Sequence, residues 1–147
     1  MSTIDGAGAP PRAGQELTVR VERETDVVLA CQKGRGLAAQ LGFGTGDQVA
    51  ISIAISEVAR NILVHAGHGR VTFYSAENNG HGRPGLVVVA RDEGPGIADV
   101  ELAMQDGYST SGGLGVGLSG ARRLTDEFQL ASHPGAGTTV TMIKWLP

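Results

Sequence analysis

Apolar and polar positions first alternate at Leu17, Val19 and Val21, with Thr18, Arg20 and Glu22 between them. That period of two predicts a strand with one buried face. Thr25 or Asp26 reads as the cap of a following helix that carries Val27, Val28, Cys31 and Leu37. Gly34 and Gly36 leave its length open, because an interior glycine costs a helix about 1 kcal/mol relative to Ala. After Gly42, Gly44 and Gly46 comes the strongest helical period, in which Ile51, Ile55, Val58, Ile62 and His65 recur between residue 47 and about residue 66. Gly67 and Gly69 close it.

Residues 71–75 read as a strand and 77–84 as an exposed turn. The continuous apolar run at 86–90 suits a central strand or one covered on both faces. Residues 92–96 break it, 97–104 predict a short helix, and 105–117 are small, polar and Gly-rich. A helix resumes near Leu118 and continues through Leu124 to Asp126. Strands at 128–131 and 138–145 flank the turn His133-Pro134-Gly135-Ala136-Gly137. Strands and helices do not alternate regularly, so the expected fold class is α+β, a two-layer sandwich rather than a doubly wound sheet. Residues 1–14, rich in Ala, Gly and Pro, are expected to form a flexible N-terminal tail, and 15–147 a single domain.

With 147 residues, one hydrophobic core is within reach without covalent staples. A net charge of −3 removes any chain-wide attraction to nucleic acid or anionic lipid. The single cysteine excludes an intrachain disulfide. The start of the chain lacks the basic and apolar regions of a signal peptide, and no apolar run nears the ~18 residues of a membrane span. The expected location is the cytoplasm, with neither nucleic acid nor membrane as partner.

Four segments have candidate chemistry. Glu57 and Asn61 stand four apart on the strong helix and therefore share a face. A carboxylate and an amide oxygen so placed can serve a nucleophile and a Mg²⁺ ion, which prefers hard oxygen ligands. Asp92-Glu93-Gly94-Pro95-Gly96 follows the most apolar strand, where glycines admit a ligand close to backbone and Asp92 can accept an exocyclic amine hydrogen. Ser109-Thr110-Ser111-Gly112-Gly113-Leu114-Gly115-Val116-Gly117-Leu118 offers unhindered N–H groups suited to phosphate oxygens. Gly137-Thr138-Thr139 opens the last strand. Taken singly, each segment also has a bland reading: a solvated Glu–Asn pair, a tight turn, a loop, and a turn entering a strand.

In this order, Glu57…Asn61, Asp92-x-Gly94-x-Gly96, Gly113-x-Gly115-x-Gly117 and Gly137-Thr138 resemble the N, G1 and G2 boxes and the terminal Thr of the GHKL superfamily. The resemblance spans residues 17 to 145 and implies the Bergerat ATP-binding fold, a mixed, mostly antiparallel sheet with helices on one face. More narrowly, Ile55-Ser56-Glu57-Val58-Ala59-Arg60-Asn61 and residues 105–115 look like the anti-sigma-type serine/threonine kinases, in particular stressosome switch kinases of the RsbT type. Such kinases phosphorylate Ser or Thr on STAS-domain partners, and a PP2C-type phosphatase or its regulatory domain is a further candidate partner. The resemblance implies ATP and Mg²⁺ as cofactors, Glu57 as catalytic base and Asn61 as the Mg²⁺ ligand. It implies that Asp92 reads the adenine amino group with help from Thr138. Gly94 and Gly96 would line the pocket, with Gly113, Gly115 and Gly117 in the lid over the phosphates and Leu118 among the nucleotide-binding residues. Arg60 matches by type without an assigned role, and the lid segment 105–121 contains no Lys or Arg.

Other readings fit less well. Gly115-Val116-Gly117-Leu118-Ser119-Gly120 matches G-x-G-x-x-G, but no strand pattern precedes it and no acidic residue follows at ~20 positions. Phosphate-loop and eukaryotic-kinase motifs are missing. His65 and His68 have Gly67 between them and no further ligand cluster, and Cys31 reads as a small core residue. A histidine kinase would need a dimerising helical segment, and a topoisomerase-like ATPase transducing domains. The rival function is an ATP-binding partner-switching module that sequesters partners without phosphotransfer. Glu57 speaks against it, since a pure binder needs no base.

Overall fold

The computed structural model describes residues 16–77, 82–97, 104 and 117–147. Within them the chain runs β1 (Leu17–Val21), α1 (Glu24–Leu41), α2 (Thr45–His65), β2 (Gly69–Ala76), β3 (Gly85–Asp92), α3 (Gly117–Arg123), β4 (Glu127–His133) and β5 (Gly137–Trp145). The expected tail, Gly113 and Gly115 of the lid, and nearly all of the short helix expected at 97–104 lie outside the described residues.

The five strands form one sheet in the order β1-β2-β3-β5-β4. All four ladders are antiparallel, as a mostly antiparallel sheet leads one to expect. β3 lies at its centre, in keeping with its unbroken apolar run. Its core-facing residues Leu86, Val88 and Ala90 are buried, and so is Val87 on the opposite face.

α1 and α2 run antiparallel to each other. Arg60 pairs with Glu24 at 3.6 Å, Cys31 Sγ donates to Ser52 O at 3.4 Å, and Arg35 reaches Gln48 at 3.5 Å. Their apolar stripes, Val27, Ala30 and Ala38 on one and Ile51, Ile55, Val58 and Ile62 on the other, pack with Phe73, Val71 and Met142 into one core. Each large side chain so buried contributes roughly 1.5–3 kcal/mol. A second, smaller cluster of Tyr74, Ala76, Val87 and Ile143 lies on the sheet's other face.

Two local expectations change. Neither Thr25 nor Asp26 is the cap residue, because α1 begins at Glu24. Asp26 sits one turn inside, and its Oδ2 accepts the N–H groups of Glu22 at 2.8 Å and Arg23 at 3.0 Å, satisfying donors from the first turn rather than preceding it. Gly34 does not break α1 either. A Cβ there would strike Ile55 Cδ1 and lie 3.0 Å from Phe73 Cε1, so its absence lets the two helices and the sheet close together. α3 ends at Arg123, short of the expected Asp126.

Candidate functional site

α2 positions the first group. Its buried stripe turns Glu57 inward, where it is only 4% exposed. Glu57 Oε1 accepts the N–H of Gly117 at 2.7 Å. Oε2 is equally buried and has no hydrogen-bond partner among the described residues. Leaving a carboxylate oxygen buried and unsatisfied costs about 1–3 kcal/mol or more. Asn61 stands one turn further along the same face, half-buried.

The C-terminal end of α2 meets the end of β3 through glycines. A Cβ on Gly69 would lie 2.7 Å from Ile62 Cγ2, 2.5 Å from Arg91 O and 3.2 Å from Asp92 Cβ. A Cβ on Gly94 would lie 2.5 Å from Ala66 Cβ and 3.1 Å from His65 O. Asn61 adjoins Ile62, so the last turns of α2 and the Asp92 end of β3 share one edge of the domain.

Asp92 is 5% exposed. Its Oδ1 accepts N–H groups from Gly94 at 2.9 Å and from Thr138 at 3.3 Å, which fixes the carboxylate plane. Oδ2 makes no hydrogen bond among the described residues. β5 reaches Asp92 because Gly137, at φ 85°, brings its backbone against Asp92 O, where any side chain would collide. Gly96, at φ 84°, lies as closely against His133 O. Thr138, 3% exposed, sits directly opposite Asp92 in the ladder.

One participant has no sequence signature. Ser132 Oγ accepts the N–H of Ile97 at 2.6 Å and lies 2.9 Å from the Thr138 hydroxyl. With the Gly135 N–H donating to Pro95 O at 2.8 Å, it pins the segment after Asp92 onto the β4–β5 hairpin. A serine next to a turn is too common to single out in the sequence.

Glu57, Asn61, Asp92, Gly94, Gly96, Gly117 and Thr138 thus come from four separate segments linked by the contacts above. Leu118, directly after Gly117, is 5% exposed and belongs to the core. Arg60 faces α1 and its ion pair with Glu24. His65 and His68 flank the α2 terminus at Gly67, whose φ of 82° ends the helix.

Comparison with known proteins follows the same outline. The family model described as histidine kinase-, DNA gyrase B-, and HSP90-like ATPase matches residues 46–147. Serine/threonine-protein kinase RsbT of Bacillus subtilis (strain 168) is 52% identical over 128 residues, covering 87% of this chain and 95% of that protein. The anti-sigma F factor of Thermoanaerobacter sp. (strain X514) is 30% identical over 112 residues, covering 74% of this chain and 78% of that one. Among solved structures, the histidine kinase domain of the Erythrobacter litoralis EL346 blue-light activated histidine kinase aligns with a TM-score of 0.46 at 21% identity, over 96% of this chain and 67% of that one.

Proposed function

This chain belongs to the histidine kinase-, DNA gyrase B-, and HSP90-like ATPase family, and we propose that it is an ATP-dependent serine/threonine protein kinase whose substrate is a STAS-domain protein of a bacterial stress-response switch. The kinase reading draws on the 52% identity to a protein of that activity. The observation that carries it is the buried Oε2 of Glu57, which has no hydrogen-bond partner among the described residues and lies one helical turn from Asn61.

The residues present suit a magnesium–nucleotide complex. Glycines at 94, 96 and 137 admit backbone where a Cβ would collide, Asp92 Oδ2 makes no hydrogen bond among the described residues, and Asn61 offers the hard amide oxygen that Mg²⁺ takes. When bound, ATP supplies the phosphoryl group and Mg²⁺ the countercharge for it.

Glu57 Oε2 takes the proton of the incoming serine or threonine hydroxyl, while Oε1, tied to Gly117, holds the carboxylate in orientation. Asp92 would hold the adenine amino group through its carboxylate, with Thr138 beside it. Gly94 and Gly96 would line the base pocket and Gly113, Gly115 and Gly117 would form the lid, while Leu118, next to Gly117, packs in the core. Segment 105–121 contributes no Lys or Arg, so the phosphate charge would be met by backbone N–H groups, by Mg²⁺ or by a residue from elsewhere in the chain. Phosphoryl transfer relies mainly on positioning and electrostatics, so such a site suffices. No helix among the described residues is long and apolar enough to cross a membrane, which fits action in the cytoplasm.

The similarity to an anti-sigma F factor favours one second reading, in which bound ATP arms the chain to sequester a partner, a sigma factor or a phosphatase regulator, without transfer. Incubation with radiolabelled ATP, Mg²⁺ and candidate STAS proteins separates the two. Label on a STAS serine or threonine is expected. A tight, unlabelled complex overturns the kinase reading in favour of the binder.

A further inference from the structure

Asp92, Thr138 and Ser132 stand in one row across β3, β5 and β4. Asp92 lies directly opposite Thr138 in the β3–β5 ladder, and Thr138 directly opposite Ser132 in the β4–β5 ladder. Each is two positions from a residue that packs in the main core, respectively Ala90, Val140 and Leu130. All three side chains therefore leave the sheet on its helix-facing side. The next two rows on that face, Ala90–Val140–Leu130 and Val88–Met142–Phe128, are wholly apolar. Only at the edge that carries Asp92 does the face turn polar.

The hydrogens of this row can be assigned from its distances. Ser132 has one hydroxyl hydrogen. Its Oγ already accepts the Ile97 N–H at 2.6 Å. The hydrogen can go to Thr138 Oγ1 at 2.9 Å or to Gly137 O at 3.4 Å. An O–H···O bond spans about 2.5–3.0 Å, so Thr138 is the acceptor and the longer contact contributes little. The hydrogen of Thr138 itself is then not spent on Ser132. Among the described residues Ser132 is the one hydrogen-bond partner of the Thr138 hydroxyl. Asp92, on the other side of Thr138, takes only its backbone N–H.

We propose that Ser132 is a positioning residue for purine recognition, which by donating to Thr138 leaves the Thr138 hydroxyl hydrogen to be given to the ring nitrogen N1 of adenine. This deepens the reading of the site as an adenine-nucleotide site and rests on it. Asp92 accepts and Thr138 donates, in the order in which adenine presents its amino group and its N1 lone pair. Guanine carries a carbonyl and an N–H at those positions, so both contacts fail with it. Through the Ile97 N–H, the same serine oxygen also holds the backbone directly after Gly96. Ser132 touches no nucleotide in this scheme and acts through its two partners.

Calorimetry on the full chain with Mg²⁺ tests the assignment with three ligands. They are ATP, 1-deaza-ATP, which lacks the N1 lone pair, and purine riboside triphosphate, which lacks the amino group. The wild type should bind 1-deaza-ATP about three- to tenfold more weakly than ATP, and purine riboside triphosphate roughly 10–100-fold more weakly. In Ser132→Ala, ATP and 1-deaza-ATP should bind alike within about twofold, while the loss on removing the amino group stays as in the wild type. Ser132→Thr keeps a hydroxyl and should restore the preference for ATP over 1-deaza-ATP. A serine that merely pins the hairpin would weaken all three ligands equally in Ser132→Ala and leave their ratios unchanged, which overturns the proposal. So does a loss of both preferences together. A wild type that discriminates against the missing amino group but not against the missing N1 overturns the role of Ser132 and leaves the adenine site standing. A wild type that binds no ATP overturns both.

Discussion

Glu57 and Gly117 are 60 residues apart in the chain, and the Gly117 N–H donates to Glu57 Oε1 across 2.7 Å. That bond ties the start of α3 to the middle of α2, and it uses only one of the two carboxylate oxygens. The other is buried and has no partner among the described residues. A side chain held so firmly, with a reactive atom left over, is pre-organised for an incoming proton donor.

Glu57→Gln preserves an oxygen for the Gly117 N–H but removes the base. Phosphotransfer in single turnover should fall about 10²–10⁴-fold, with nucleotide affinity in calorimetry nearly intact. Transfer at the wild-type rate would remove Glu57 from this role.

Asp92→Asn should act on binding instead. Oδ1 can still accept from Gly94 and Thr138, yet the charge-assisted bond to an adenine amine is lost. A bond of that kind contributes about 1.5–3 kcal/mol, so ATP should bind roughly 10–100-fold more weakly by calorimetry. An unchanged dissociation constant would contradict the adenine contact.

Gly34 and Gly36, two residues apart in α1, should respond in opposite directions. Gly36 is exposed with open space around it, so Gly36→Ala should stabilise the protein by about 0.5–1 kcal/mol. Gly34→Ala drives a methyl into Ile55 and against Phe73, which should destabilise by roughly 1–3 kcal/mol. Urea denaturation of the two variants checks both signs.

Burial pushes the Cys31 thiol above its ordinary value of 9.0, with the nearby Arg60 charge acting in the opposite direction. As pH rises past 9.0, the unfolded chain releases this proton first while the native chain retains it. The unfolded state then binds fewer protons, so stability falls with pH across that window. Denaturation at pH 8 and pH 10 should show a smaller drop for Cys31→Ala than for the wild type. Equal drops would mean that the thiol does not contribute.

Much of the site is legible along the chain because its parts are local. Glu57 and Asn61 share a face of any helix, and Asp92 follows the most apolar strand in any fold that buries it. Other features are not local. Gly34 reads as a helix breaker until Ile55 and Phe73 are brought against it. Asp26 reads as a cap until its carboxylate is seen reaching back to Glu22 and Arg23. Ser132 has no signature at all, since its partners Ile97 and Thr138 meet only through the hairpin.

The sequence by itself determined the strong helix, the central strand and the order of the four motifs, because these depend on periodicity and on residue chemistry within a few positions. Only the tertiary structure decided which motifs share a wall, which glycines are contacts rather than breaks, and that Asp92, Thr138 and Ser132 stand side by side. Strand register is set by the burial of whole faces and the closure of long loops. The atoms that meet as a result lie too far apart along the chain for local pattern to pair them.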